Sequence, residues 1–278
     1  MKIALVSDTH FQKNDAFTAE NWDAARQWLA ATRPEFVVHL GDITANGMHD
    51  PTELVHARDL LASSNAEILC LPGNHDVGDH APAGGVHAHE PINVERLADY
   101  RRLFGPDRWS RNVEGWQLIG INAQLLSTGI DDEERQFAWL AEALAAHACP
   151  LGVFLHKPLF RDMPEEHVIH TRYVPSVSRQ RLLALLQKRD LRFVAAGHTH
   201  QARQMRLHGV EHVWVPSTAF TLPDFFQERI GEKQVGTMML ELQSDAHRFT
   251  RVVPGGMQPR SLLEFAHVYP AVADLRDH

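Results

Sequence analysis

Polar residues of metal-binding types follow five predicted buried strands, each at the point where the strand ends. They are aspartate, asparagine and histidine, which offer oxygen and nitrogen ligands to metal ions. Each short motif is common by chance, but five such strand ends in sequence order are not. These residues are Asp8 and His10, Asp42, Asn74 and His75, His156, and His198 and His200.

This set holds more ligands than one tetrahedral metal ion uses. In open α/β sheets, ligands bind at the carboxyl ends of the strands. If the five ends meet at one edge, they would form a two-metal site of the kind that phosphatases and nucleases use. The sequence therefore predicts a binuclear metal site and hydrolysis of a phosphoester.

The stretch Leu69–Asp76 contains the densest group of these residues. An apolar run ends at Pro72-Gly73, and Asn74, His75 and Asp76 follow directly. Polar groups at the end of a buried strand cost free energy unless they bind something. The Pro-Gly turn lets adjacent side chains leave the strand in one direction, whereas a straight strand would send them to opposite faces.

Hydrophobic periodicity and turn residues predict the elements that must position these groups. The predicted strands are 2–7, 36–40, 67–71, 109–113, 116–121, 151–155, 191–196, 202–207, 211–215, 234–242 and 246–253. The predicted helices are 16–32, 52–63, 94–104, 131–147 and 180–188, and the segments 77–90 and 161–178 are predicted loops. Asp131 and Glu134 resemble a capping pair at the start of the fourth helix.

Composition limits the class of protein. The 278 residues are 44% hydrophobic, enough for a sizeable core, and we expect one domain over 1–278 with a peripheral C-terminal tail at 254–278. A net charge of −8 argues against a general nucleic-acid surface. Two cysteines, no signal-peptide pattern and no apolar run of membrane-spanning length predict a soluble, cytoplasmic protein.

The motifs together resemble those of the calcineurin-like metallophosphoesterase family. All five of its blocks are present in order: Asp8-x-His10, Gly41-Asp42, Gly73-Asn74-His75-Asp76, His156 and Gly197-His198-x-His200. The resemblance implies an α/β fold of two packed mixed β-sheets flanked by helices. It also implies two metal ions, each iron, manganese or zinc.

The resemblance implies a role for each site residue. One metal ion would be held by Asp8, His10 and His200, the other by Asn74, His156 and His198, and Asp42 would bridge the two. His75 would contact phosphate and protonate the leaving oxygen, Asn74 and His198 would also contact substrate, and Asp76 would support the turn. A water shared by the two ions would attack phosphorus in line with the leaving group.

The segments 71–78, 100–110, 121–124 and 137–140 are similar to bacterial cyclic-nucleotide and glycerophosphodiester phosphodiesterases. The same features, with 156–160, also resemble serine/threonine phosphatases. We therefore expect a phosphodiesterase acting on a small phosphoester, with a phosphomonoesterase or protein phosphatase as the alternative. A non-catalytic metal-binding scaffold and a nuclease are further alternatives, and a homodimer is possible.

The substrate rim has several candidates, each with an ordinary structural alternative. His80, His87 and His89 could line the pocket or be loop histidines in solvent. The segment 161–178, with His167, His170 and Arg172, could reach the substrate or be a surface loop. Phe220, Phe225 and Phe226 could form an apolar wall or belong to the core or to a subunit contact. The apolar tail after Pro254 could be a dimer contact or a lid.

Overall fold

The computed structural model describes residues 1–14, 17–80, 90–167 and 171–269. No helix in these ranges combines the length and apolar character needed to cross a membrane. The strands are β1 (Lys2–Val6), β2 (Phe36–His39), β3 (Ile68–Cys70), β4 (Trp109–Val113), β5 (Trp116–Ile121), β6 (Leu151–Leu155), β7 (Leu191–Ala196), β8 (Arg203–Leu207), β9 (Val210–Trp214), β10 (Thr237–Leu242) and β11 (His247–Val252). The helices are α1 (Phe17–Thr32), α2 (Pro51–Ala62), α3 (Asn74–Val77), α4 (Val94–Phe104), α5 (Asp131–Ala145) and α6 (Ser176–Leu186), with 3₁₀ turns at Ala123–Leu125 and Leu262–Phe265.

The strands form two mixed sheets. One has the order β11-β10-β1-β2-β3 and the other the order β4-β5-β6-β7-β9-β8. The neighbours β1-β2, β2-β3, β5-β6, β6-β7 and β7-β9 are parallel, and the remaining pairs are antiparallel. The predicted α/β fold of two mixed sheets with flanking helices is confirmed.

The apolar side chains of the central strands alternate between two layers of core, because successive residues of a strand point to opposite faces. Leu5 and Val38 of the first sheet pack in one cluster with Phe154 and Phe193 of the second. The opposite faces of the sheets are covered by helices, α1 on the first sheet and α5 and α6 on the second. Burial on both faces explains why these strands are nearly continuous apolar runs.

The helix α5 begins at Asp131, as predicted, but its capping differs from the sequence prediction. Its N-cap residue is Ile130, which makes no side-chain capping bond, so the predicted pairing of Asp131 with Glu134 is wrong. Instead, the carboxylate of Glu133 accepts hydrogen bonds from the backbone N–H groups of Ser127 (2.6 Å), Thr128 (3.0 Å) and Gly129 (2.9 Å). The turn 127–129 therefore lies against the first residues of the helix. The spacing of Asp131 and Glu134 does not indicate this contact.

The helix α6 begins at Ser176, four residues before the predicted start at residue 180. Its first turn carries buried polar residues rather than apolar ones, so the hydrophobic pattern misses it. Arg179 is 2% exposed and donates from its guanidinium to the carbonyl of Leu159 at 3.2 Å.

The segment after Pro254 packs on the rest of the chain. Up to residue 269, Leu262 and Phe265 are buried in a cluster with Ala219 and Phe220. The cluster brings the end of the described chain to the edge where β1 ends, since the residues that follow Ser217 donate backbone bonds to Ser7 and Asp8.

Candidate active site

The five predicted strand ends converge, but they come from two sheets rather than one edge. The strands β1, β2 and β3 of the first sheet lead to Asp8 and His10, Asp42, and Asn74. The strands β6 and β7 of the second sheet lead to His156 and to His198 and His200. The packing of the two sheets therefore brings the groups together.

The backbone is strained where it carries these groups. Asp8 (φ 53°), His10 (φ 44°), Asp42 (φ 50°), His198 (φ 66°) and His200 (φ 52°) all lie in the left-handed region. For residues other than glycine this conformation costs about 1–3 kcal/mol each and is concentrated at functional sites. Hydrogen bonds between turns hold it in place, from Asp8 N to Gly41 O at 3.0 Å and from His10 N to Asp42 O at 3.1 Å.

The first group of converging side chains is Asp8, His10 and His200, whose ligand atoms lie within 4.8 Å of one another. His200 donates from Nδ1 to the carbonyl of Phe220 at 2.8 Å, so its Nε2 carries a lone pair. That Nε2 lies 3.1 Å from Nε2 of His10 and 3.4 Å from Oδ1 of Asp8. Oδ1 of Asp8 is buried and makes no hydrogen bond with any described residue. Lone pairs that face one another around an unpaired carboxylate oxygen fit a cation.

The second group is Asp42, His156 and His198, with Asn74 beside them. His156 donates from Nδ1 to the carbonyl of Leu40 at 2.9 Å, so its Nε2 faces the site. This nitrogen lies 3.2 Å from Oδ1 of Asn74, 3.2 Å from Oδ2 of Asp42 and 3.0 Å from Nδ1 of His198. The arrangement again consists of ligand atoms directed at a common point.

Asp42 lies between the two groups. Its Oδ2 is 3.2 Å from Nε2 of His156 and 3.9 Å from Nε2 of His10. Its Oδ1 accepts the backbone N–H of His75 at 2.9 Å, which fixes the carboxylate plane. One oxygen within reach of both groups is what a bridging ligand requires.

The electrostatics of the site call for positive charge. Burial by itself raises the pKa of Asp42, but the neighbouring His156 and His75 bring it well below its usual range. Burial likewise lowers the pKa of His156, but the charges of Asp42 and Asp8 outweigh it and raise that pKa to about 9. Both carboxylates are almost fully buried, so bound metal ions would supply the positive charge that compensates them.

Asn74 and His75 begin the short helix α3, directly after Gly73. A Cβ on Gly73 would lie 2.1 Å from Oδ1 of Asp42, so this position has room only for glycine. His75 donates from Nδ1 to the carbonyl of Ala45 at 2.8 Å, which orients its ring. This bond leaves Nε2 as the nitrogen that does not contact Ala45. Nδ2 of Asn74 is buried and has no hydrogen-bond acceptor among the described residues, so it could donate to a bound oxygen.

The expected supporting role of Asp76 is confirmed. Its Oδ2 accepts from the backbone N–H of Gly73 at 2.9 Å and of Ile43 at 3.1 Å. Its Oδ1 accepts from Thr44 N at 2.9 Å and from Thr44 Oγ1 at 2.8 Å. The buried carboxylate thus ties the turn after β2 to the turn after β3, and these turns carry Asp42 and Asn74.

The rim candidates have separate outcomes. His80 is buried, and its Nδ1 lies 2.9 Å from Asp79, whose carboxylate also pairs with the buried Lys157 at 2.5 Å. Phe220 lies in the site, with its ring 4.9 Å from those of both His10 and His200. His167 and Phe225 are exposed, and Arg172 donates to the carbonyl of Phe226. His87, His89 and His170 lie outside the described residues.

Sequence reasoning missed two residues, of which Tyr269 contacts a site histidine and His39 contacts residues next to Asp8 and Asp42. The hydroxyl of Tyr269 lies 2.8 Å from Nδ1 of His10, although 259 positions separate them in the chain. His39 is fully buried, with Nε2 3.0 Å from Oγ1 of Thr9, and its Nδ1 accepts the N–H of Gly41. His39 could have been suspected as a polar residue in an apolar strand, but no local pattern indicates Tyr269.

The fold and the site belong to a known class of protein. The sequence matches the family model described as calcineurin-like phosphoesterase over residues 1–202. The chain therefore belongs to this family and is a binuclear metal-dependent phosphoesterase.

The chain is also similar to several known proteins. The 3',5'-cyclic adenosine monophosphate phosphodiesterase CpdA of Escherichia coli K12 is 24% identical over 275 residues, which cover 91% of this chain and 89% of that protein. The glycerophosphodiester phosphodiesterase GpdQ of Enterobacter lignolyticus is 26% identical over 243 residues, covering 80% and 79%. A dimetal phosphatase from Danio rerio has a TM-score of 0.62 at 13% identity, covers 90% of this chain and 95% of its own, and shows likeness of fold alone.

Proposed function

We propose that the protein hydrolyses small phosphodiesters at the convergence of Asp8, Asp42, Asn74 and the histidines around them. The observation that carries the proposal is the pair of ligand groups that share Oδ2 of Asp42. The relatives named as cyclic-nucleotide and glycerophosphodiester phosphodiesterases, which match over four fifths of the chain or more, support a diester rather than a monoester.

Seven residues would hold two metal ions. The first ion would be bound by Asp8, His10 and His200, the second by Asn74, His156 and His198, and Asp42 would bridge them. The unpaired Oδ1 of Asp8 and the facing histidine nitrogens fit this assignment. Iron, manganese and zinc all suit such a set of nitrogen and oxygen ligands. Bound ions would act as Lewis acids on the phosphoryl group and activate water.

The remaining chemistry belongs to side chains of this chain. Nδ2 of Asn74 would donate to a non-bridging phosphate oxygen, and the half-buried His198 would contact the same group. His75, held through Nδ1 by the carbonyl of Ala45, would deliver a proton from Nε2 to the leaving oxygen. Asp76 would keep the turns of Asp42 and Asn74 in register.

The test is a substrate panel on manganese-loaded protein. It compares bis-p-nitrophenyl phosphate, p-nitrophenyl phosphate, cyclic AMP, glycerophosphodiesters and a phosphopeptide. We expect the wild-type protein to hydrolyse the diesters. This activity should be lost in Asp42→Asn and in His156→Ala. It should be retained in the control His147→Ala, which changes an exposed histidine. Preference for the monoester or the phosphopeptide would identify a phosphatase. If no substrate is hydrolysed although metal is bound, the proposed hydrolytic activity is refuted.

The general-acid role of His75 has its own test. A protonated leaving group matters most when the leaving alkoxide is a strong base, and general acids contribute about 10²–10⁴-fold in rate. His75→Ala should therefore lose much more rate on a glycerophosphodiester than on bis-p-nitrophenyl phosphate. An equal loss on both substrates would exclude the proton transfer and leave only phosphate contact.

A further inference from the structure

The segment 254–269 is attached to the protein beside the proposed metal centre. Thr221 donates its backbone N–H to Arg260 O at 3.0 Å and accepts from Leu262 N at 2.9 Å. The ring of Phe265 packs on that of Phe220, with the ring centroids 4.9 Å apart. Backbone bonds and apolar contacts thus hold the segment on the strand connection that carries Phe220.

Tyr269 reaches from this segment into the site. Its backbone N–H donates to Phe265 O at 2.9 Å, and its hydroxyl lies 2.8 Å from Nδ1 of His10. The ring stands edge-on to those of His10 and His75, at 6.0 and 5.6 Å. Nε2 of His10 faces His200, so the ligand form of His10 must carry its hydrogen on Nδ1 and donate it to Tyr269.

The same segment also supports His200, indirectly. The carbonyl of Phe220 accepts Nδ1–H of His200 at 2.8 Å, and the ring of Phe220 packs against both His200 and His10. The other group is held differently, since His156 donates its Nδ1–H to Leu40 O at the end of β2. Among the described residues, the segment 254–269 therefore contacts the support of one metal group and not the support of His156.

We propose that the segment 254–269 positions the ligands of one metal ion, the ion of Asp8, His10 and His200, with Tyr269 as the positioning residue of His10. The proposal rests on the two-metal centre proposed above. A hydrogen bond to the second nitrogen of a ligating histidine fixes its tautomer and ring orientation, and losing such a bond lowers metal affinity about 10–100-fold. Loss of the Tyr269 hydroxyl should therefore make the two metal sites unequal.

The experiment titrates metal-free protein with Mn²⁺ and follows free Mn²⁺ by electron paramagnetic resonance. Wild type should bind two ions, and Tyr269→Phe should bind one ion with unchanged affinity and the other about 10–100-fold more weakly. Tyr100→Phe is the matched control, because the Tyr100 hydroxyl is buried without a hydrogen-bond partner among the described residues. It should bind both ions as wild type does.

A double-mutant cycle separates the contact from a general loss of stability. Tyr269→Phe should have no further effect on Mn²⁺ binding in His10→Ala, and should still weaken the remaining site in His156→Ala. Two unchanged sites in Tyr269→Phe, equal weakening of both sites, or a full effect in His10→Ala would each overturn the role of Tyr269. Failure of wild type to bind Mn²⁺ would instead overturn the metal centre itself.

Discussion

Replacing Asp76 with asparagine should destabilise the protein and also impair its site. The four donors around the Asp76 carboxylate are three backbone N–H groups and one hydroxyl. Asparagine would place its NH₂ towards Thr44, since the Thr44 hydroxyl can reverse its bond and accept, whereas Gly73 and Ile43 offer only N–H groups. One buried N–H, that of Thr44, then loses its acceptor. Such a loss costs about 1–3 kcal/mol.

The chain offers a matched control in Glu133. Its Oε1 accepts from Ser127 N at 2.6 Å and from the Ser178 hydroxyl at 2.9 Å, and its Oε2 from two further backbone N–H groups. Glu133→Gln therefore also leaves one backbone N–H, that of Ser127, without an acceptor, and this loss should likewise cost about 1–3 kcal/mol. None of these donors lies in a turn that carries a proposed metal ligand.

Two measurements separate stability from positioning. Urea unfolding of the metal-free proteins should show both variants destabilised, Asp76→Asn by less than Glu133→Gln. Burial and the nearby Asp42 raise the pKa of Asp76 to about 6, so loss of its charge offsets part of the cost. With manganese bound, kcat/KM for a diester should fall about 10- to 100-fold in Asp76→Asn, because small displacements of reacting groups have effects of this size. Glu133→Gln should retain the wild-type kcat/KM. An Asp76→Asn protein as stable as wild type would refute the hydrogen-bond accounting, and equal kcat/KM in the two variants would refute the positioning role.

Three further perturbations have defined outcomes. Gly73→Ala should abolish diester hydrolysis, because the new Cβ would lie 2.1 Å from Asp42. Gly255→Ala is the control and should have the wild-type rate, because its Cβ would meet nothing within 4 Å. Equal rates in the two variants would contradict the close packing at Gly73. Burial lowers the pKa of His212 from 6.5 to about 4, so between these pH values the unfolded chain binds one proton more than the folded chain. The free energy of unfolding should therefore fall as the pH drops through this window, by up to about 3 kcal/mol. His212→Gln should flatten this pH dependence of the unfolding free energy and exposed His147→Gln should not; an unchanged slope in His212→Gln would exclude the effect. Removing metal by chelation should lower the Tm of wild type more than that of Asp42→Asn in calorimetry, since only the native site binds the ions tightly; equal shifts would count against a bridging Asp42.

Most strands and helices could be predicted because their signals are local. The helix α4, the β4-β5 hairpin and the strands β6 and β7 have the predicted bounds. The predicted start of α6 was wrong because its first turn has no apolar periodicity. The predicted capping pair of α5 was also wrong, because the residue that bonds to the turn before the helix is Glu133.

The sequence by itself determined which residues could do the chemistry, because apolar runs, turn residues and the ligand-type residues that follow them are adjacent in the chain. Only the tertiary structure decided how they meet. The strand ends come from two sheets, Asp42 lies between two ligand groups, and carbonyls of Leu40 and Phe220 orient His156 and His200. The contact of Tyr269 with His10 joins residues 259 positions apart. Contacts of this range depend on how the sheets and the C-terminal segment pack, and no local pattern of residues encodes them.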